Sequence, residues 1–183
     1  MDSALLVIGY GNTLRRDDGV GPMVAEEVEE LRLSGVRTLA CQQLTPELAD
    51  PLSRSGAVVF IDAAVDHPAQ VRLRRLDPSE SSQILAHAAD PRTLLALARD
   101  AFGRAPDAWI LTIPAKDLGF GEQLSRTARI GVRKAVRAVQ ALHRRLPNRG
   151  PLSPRAERGR FPRTSRRSTR ARRSRPACRA PGP

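Results

Sequence analysis

The sequence predicts an α/β fold, a three-layer sandwich in which a twisted, mostly parallel sheet of about five strands carries helices on both faces. Three observations lead there. Short apolar runs of strand length alternate with segments of helical period between residues 1 and 146. Two of the runs, Leu5-Leu6-Val7-Ile8 and Ala57-Val58-Val59-Phe60-Ile61, are apolar throughout, as strands buried on both sides must be. The elements also come in βαβα order, which closes into a parallel sheet with crossover helices.

Leu5 to Ile8 is the first strand. Val20, Val24, Val28 and Leu31 then recur at helical spacing, with Glu26, Glu27, Glu29 and Glu30 turned to water. Val36 to Leu44 reads as a second strand. Pro46 to Ser53 reads as a short helix, opened by Thr45 as N-cap with proline in the first turn. The run Ala57 to Ile61 is the central strand and ends at Asp62. After the turn Asp66-His67-Pro68, Val71 and Leu73 alternate with Arg72 and Arg74, the pattern of a half-exposed edge strand. Asp90-Pro91 supplies a cap and first-turn proline for a helix through Leu94, Leu95, Leu97 and Ala98 that stops at Gly103. Trp109 to Ile113 is the last strand. Ala128, Val132, Ala135, Val136, Val139, Leu142 and Leu146 form the apolar stripe of a long final helix, with Glu122 as a first-turn acid and Arg144 and Arg145 at its negative end.

Charge divides the chain in two. Residues 147–183 contain twelve Arg, one Glu and seven Pro, whereas residues 1–146 hold nineteen Lys+Arg against eighteen Asp+Glu. The expected organisation is therefore one α/β domain over 1–146 and a disordered Arg/Pro/Ser-rich tail over 147–183. The high pI then belongs to the tail, which should attract nucleic acid only nonspecifically, and says nothing about the surface of the body. Cys41 and Cys178 cannot build a disulfide framework, and no CxxC spacing exists for zinc. No basic n-region precedes the short first apolar run, and that run cannot cross a bilayer. A soluble, cytoplasmic monomer with no membrane partner is expected.

The segment Gly9-Tyr10-Gly11-Asn12-Thr13-Leu14-Arg15-Arg16-Asp17-Asp18-Gly19-Val20-Gly21 sits where a phosphate-binding loop would. It lacks the third glycine of the dinucleotide fingerprint, because Leu14 stands there, and Asp17 and Asp18 would repel a pyrophosphate. A cation suits it better. Asp18 after the first strand and Asp62 closing the third fall on one carboxyl edge of the sheet, and His87 precedes a helix start from which it could approach that edge. Two carboxylates and an imidazole form an O,O,N set suited to nickel or zinc with coordination positions left open. Structural readings compete with this. Asp17, Asp18 and Asp90 each fit an N-cap, and His87 in an Ala-rich stretch fits a purely structural histidine. Asp62 carries the functional reading best, since a carboxylate ending an apolar strand is costly without a partner or a task. His67 is the reserve ligand and His143 ranks below it. No Gly-x-Ser-x-Gly elbow is present, and Cys41 has no partner at a known family spacing.

Taken in order, Gly9-x-Gly11-Asn12 through Asp17-Asp18-Gly19-x-Gly21, then Phe60-Ile61-Asp62-Ala63, then His87 with Pro91-x-x-Leu94-Leu95-x-Leu97-Ala98, Gly103 and Pro106, resemble the hydrogenase maturation endopeptidases. The match spans about residues 4–146. The resemblance implies a twisted sheet between helices and an aspartic-type peptidase, with Asp18 and Asp62 catalytic and Asp18, Asp62 and His87 contacting metal. Relatives often carry Glu at the first position, one methylene longer than Asp18. The implied substrate is the large-subunit precursor of a nickel-iron hydrogenase, cut once to release a C-terminal extension. Nickel would arrive with that precursor, and Asp17 or a free carboxylate oxygen would orient the attacking water. The alternative is a non-catalytic, metal-dependent chaperone or binding module for a metalloprotein precursor.

Overall fold

The computed structural model describes residues 3–65, 70–78 and 90–146. The chain divides into two units, Met1–Ser153 and Pro154–Pro183, and all described residues belong to the first. The tail, Cys178 and the 66–68 turn lie outside the described residues.

Five strands form one sheet in the order β2-β1-β3-β5-β4. Strands β1 (Ser3–Tyr10), β2 (Val36–Cys41), β3 (Ser55–Ala64) and β5 (Asp107–Pro114) run parallel, and β4 (Arg72–Leu76) joins β5 antiparallel at the edge. Leu5, Leu6, Val7 and Ile8 of β1 are all fully buried because the strand is flanked by β2 and β3 and covered on both faces. Each such side chain contributes about 2 kcal/mol of burial. Leu5 and Val7 face α1 (Val20–Glu30) and α4 (Arg126–Arg145), whereas Leu6 and Ile8 face α2 (Ala49–Ser53) and α3 (Pro91–Phe102). This is the predicted sandwich.

The helix signals act largely as the sequence indicates. Asp90 accepts a hydrogen bond from the Arg92 N–H at 3.0 Å and so caps α3, which ends where Gly103 adopts φ 77°. Thr45 differs, making no side-chain cap, and its segment opens as a 3-10 turn, Pro46–Leu48, before α2. Glu122 also differs. The hydroxyl of Ser125 caps α4 through the Ala128 N–H, leaving Glu122 exposed in the preceding loop. Strand β3 continues two residues past Asp62, with Ala64 paired to Pro114. In β4 the buried residue is Leu76, and Leu73 is 40% exposed, so the predicted inward face of this edge strand is mostly wet.

Two glycines of the first loop are fixed by close approach. A Cβ on Gly9 would lie 1.9 Å from the Gly21 carbonyl oxygen, and one on Gly21 would lie 2.3 Å from that of Tyr10 and 2.6 Å from that of Ile61. The first turn of α1 is therefore wedged backbone to backbone between the ends of β1 and β3. Gly9→Ala should cost about 3 kcal/mol, since backbone rather than a pliable side chain must give way. Thermal denaturation should register it as a loss of about 6–12 °C in Tm.

Candidate functional site

The chain leaves β1 for β2 on one side and returns to β3 on the other, so β1 and β3 flank the topological switch point where open α/β sheets place their ligands. Their register pairs Gly9 with Ile61, which sets Tyr10 level with Asp62. The Tyr10 hydroxyl donates to Asp62 Oδ2 at 2.9 Å, and the Ala63 N–H donates to Oδ1 at 2.8 Å. Burial raises the affinity of Asp62 for a proton. Its two donors oppose that and the charge of Asp18 adds to it, with the net pKa above the ordinary 3.8. The Tyr10 phenol is in turn pushed well above its usual range, by burial first and by the neighbouring carboxylate second. It stays a donor.

Asp18 lies in the 3-10 turn Arg16–Gly19 that leads into α1, and that turn packs against β3. It does not cap α1, whose N-cap is Gly19 without a side-chain bond. Instead Oδ2 accepts the Asn12 N–H at 3.0 Å, while Oδ1 has no protein hydrogen bond among the described residues. Gly11, at φ 139°, turns the loop back over this residue, and a Cβ there would meet the Asp18 carbonyl oxygen at 2.0 Å. Two amides of this loop are spent internally. Gly11 N–H bonds the Cys41 carbonyl at 3.2 Å and Asn12 N–H bonds Asp18.

Asp17 is a different residue from its neighbour. It is fully buried, and three backbone N–H groups reach it: Ser125 to Oδ1 at 2.7 Å, Lys116 and Asp117 to Oδ2 at 2.8 and 3.1 Å. Burial disfavours its charge, but these donors outweigh burial and hold its pKa below the ordinary 3.8. Arg16 forms an ion pair with Asp117 beside it, and the Arg16 and Gly121 N–H groups bond the Gly121 and Leu14 carbonyls at 2.8 and 2.9 Å. Asp17 thus clamps the 116–125 loop to the 3-10 turn. The expectation that it orients the attacking water fails on geometry, because both oxygens are occupied and neither meets solvent.

The structure therefore brings together Asp18 and Asp62, adds Tyr10 and Asn12, and removes Asp17. His87 and His67 lie outside the described residues. His143 is structural, its Nε2 lying 3.0 Å from the Ser34 carbonyl oxygen. Among the described residues no group of three or more His, Cys, Asp or Glu side chains converges as a metal set. Burial pushes the Cys41 thiol up, away from the thiolate a nucleophile needs. Tyr10 carried one sequence signal, its place at the end of a buried strand inside Gly-x-Gly. Its partner could be named only once strand order was known.

Neither the protein-family models nor the curated proteins contain a match to this chain. Solved structures do. The [NiFe] hydrogenase maturation protease HybD from Thermococcus kodakarensis superposes with a TM-score of 0.58 at 25% identity, over 78% of this chain and 99% of that one. The protease HycI from the same organism gives 0.62 at 20% identity, over 78% and 93%, and the endopeptidase HybD from E. coli gives 0.61 at 20%, over 79% and 93%. The chain has the hydrogenase maturation endopeptidase fold. Within that fold, the Asp18 and Asp62 carboxylates occupy the sheet's switch point, and Asp17 belongs to its framework. Among the described residues no helix is long and apolar enough to cross a membrane.

Proposed function

We propose that the protein is an endopeptidase that removes a C-terminal extension from the nickel-loaded large-subunit precursor of a nickel-iron hydrogenase. The observation that carries this is the Asp18–Asp62 pair at the switch point of a maturation-endopeptidase fold, one carboxylate half-buried and held by a tyrosine hydroxyl, the other with an oxygen left over. Nickel belongs to the substrate in this reading. Two carboxylates hold a borderline cation weakly, so a metal already bound by precursor thiolates is recognised, and free metal is not retained. His87 is the proposed third donor.

In this reading the protein's own groups divide the work. Tyr10 orients Asp62 by donating to one oxygen, and the Asn12 N–H fixes Asp18 in the same way. Burial makes Asp62 more basic than an ordinary aspartate, which suits it to take a proton from the attacking water. The water oxygen bonds to the scissile carbonyl carbon, and Asp62 passes the proton on to the leaving amine as the C–N bond breaks. This assigns the chain to the aspartic-type peptidases with Asp18 and Asp62 as catalytic residues.

The test is incubation with precursor prepared with and without nickel, followed by intact-mass measurement. Trimming of the nickel-loaded form alone supports the proposal. Equal cleavage of both forms removes the recognition role of nickel, and binding without any cleavage turns the protein into a metal-dependent chaperone.

A further inference from the structure

Helix α4 carries a charge pattern that the net charge of the body conceals. From the sequence, residues 1–146 look balanced, with the basic character confined to the tail. Seven of their nineteen cations, however, fall in Arg126–Arg145, a segment without one carboxylate, and the remainder holds twelve cations against eighteen acids. Arg126, Arg129, Arg133, Arg137 and Arg144 follow at helical spacing along one exposed face, with Lys134 and Arg145 exposed beside them. The opposite face, from Ala128 to Leu142, is buried against the sheet. A helix of 20 residues presents this stripe over about 30 Å. Among the described residues none of the seven forms an ion pair.

We propose that the exposed face of α4 is a binding surface for the phosphate backbone of nucleic acid, without sequence preference. The chemistry of the stripe selects this partner. Six of the seven cations are arginines, whose fork matches phosphate oxygens in pairs. A protein partner would want an apolar or aromatic anchor at the centre of the contact, and a membrane surface would want bulky apolar side chains beside the charges. The face offers only Ile130, at 37% exposure, and no aromatic. Cations without anchors and without base-reading groups fit a polyanion held through its backbone. In sequence the helix is followed by residues 147–183 with their twelve arginines.

The test uses the full-length chain and a labelled DNA duplex of about 25 base pairs, with binding followed by anisotropy from 50 to 300 mM NaCl. Wild-type protein should bind with a steep salt dependence. The triple variant Arg129→Gln, Arg133→Gln, Arg137→Gln, its folding checked by circular dichroism, should lower the slope of log K against log salt by about 3 and weaken binding at least about tenfold at 0.1 M salt. Three results overturn the proposal: no binding by the wild type, an unchanged slope in the folded variant, which would assign binding to the tail alone, or polyglutamate bound as tightly as the duplex, which would point to an acidic protein surface.

Discussion

Asp62→Asn is expected to lower the trimming rate of nickel-loaded precursor by about a thousandfold while leaving the protein at least as stable as wild type. The two effects have one origin. Burial and the charge of Asp18 raise the pKa of Asp62 in the folded state, so its ionised form costs stability at neutral pH. Asparagine removes that cost and can still accept from Tyr10 or Ala63, so Tm should stay level or rise. It cannot take up the proton that the proposed mechanism assigns to Asp62, a role worth about two to four powers of ten in rate. Single-turnover cleavage measured alongside a thermal melt checks both halves. A variant that cleaves normally would remove Asp62 from the chemistry, and one that melts well below wild type would make its role structural.

Asp17→Ala should do the reverse, with the larger loss in stability. Removing this carboxylate leaves three backbone N–H groups without their acceptor in a buried setting. At about 1–3 kcal/mol for each orphaned donor, a total of about 4 kcal/mol is expected, measurable by urea denaturation. The pH dependence has a definite sign. A carboxylate whose folded pKa lies below its unfolded value contributes fully above about 3.8, and that contribution is lost as pH falls through the folded pKa. The gap between wild type and variant should therefore be widest near neutrality and narrow in acid below about 4. Hydrogen exchange should show residues 116–125 losing protection first, because this loop is what the side chain holds. A constant gap down to pH 2 would separate the stability of the loop from the charge on Asp17.

These two adjacent acids show how far sequence reading reaches. Nothing local distinguishes Asp17 from Asp18. The three amides that claim Asp17 come from a segment about a hundred positions later, brought near by the pairing of β5 with β3 and the packing of α4 against α1. Asp62 was legible because a carboxylate at the end of an apolar run is expensive wherever the run sits. Helix α3 was legible at both ends, since its cap, proline and glycine act within a turn of where they stand. The pairing of Tyr10 with Asp62 was not, as it depends on β3 lying next to β1 in this register. The stripe on α4 was hidden for a simpler reason: summing charge over 146 residues erases where it lies.

The contact of Gly9 with Gly21 is made by main chain on both sides, so no substitution can widen or narrow it by small steps. The spacing between the turn that carries Asp18 and the strand end that carries Asp62 is consequently set by main chain, like the jaws of a gauge. Under the proposed function, a change in the fit of substrate-borne metal would fall to the acidic side chains and not to this framework. Exchange of aspartate for glutamate at position 18 would then alter reach by one methylene without disturbing the architecture beneath.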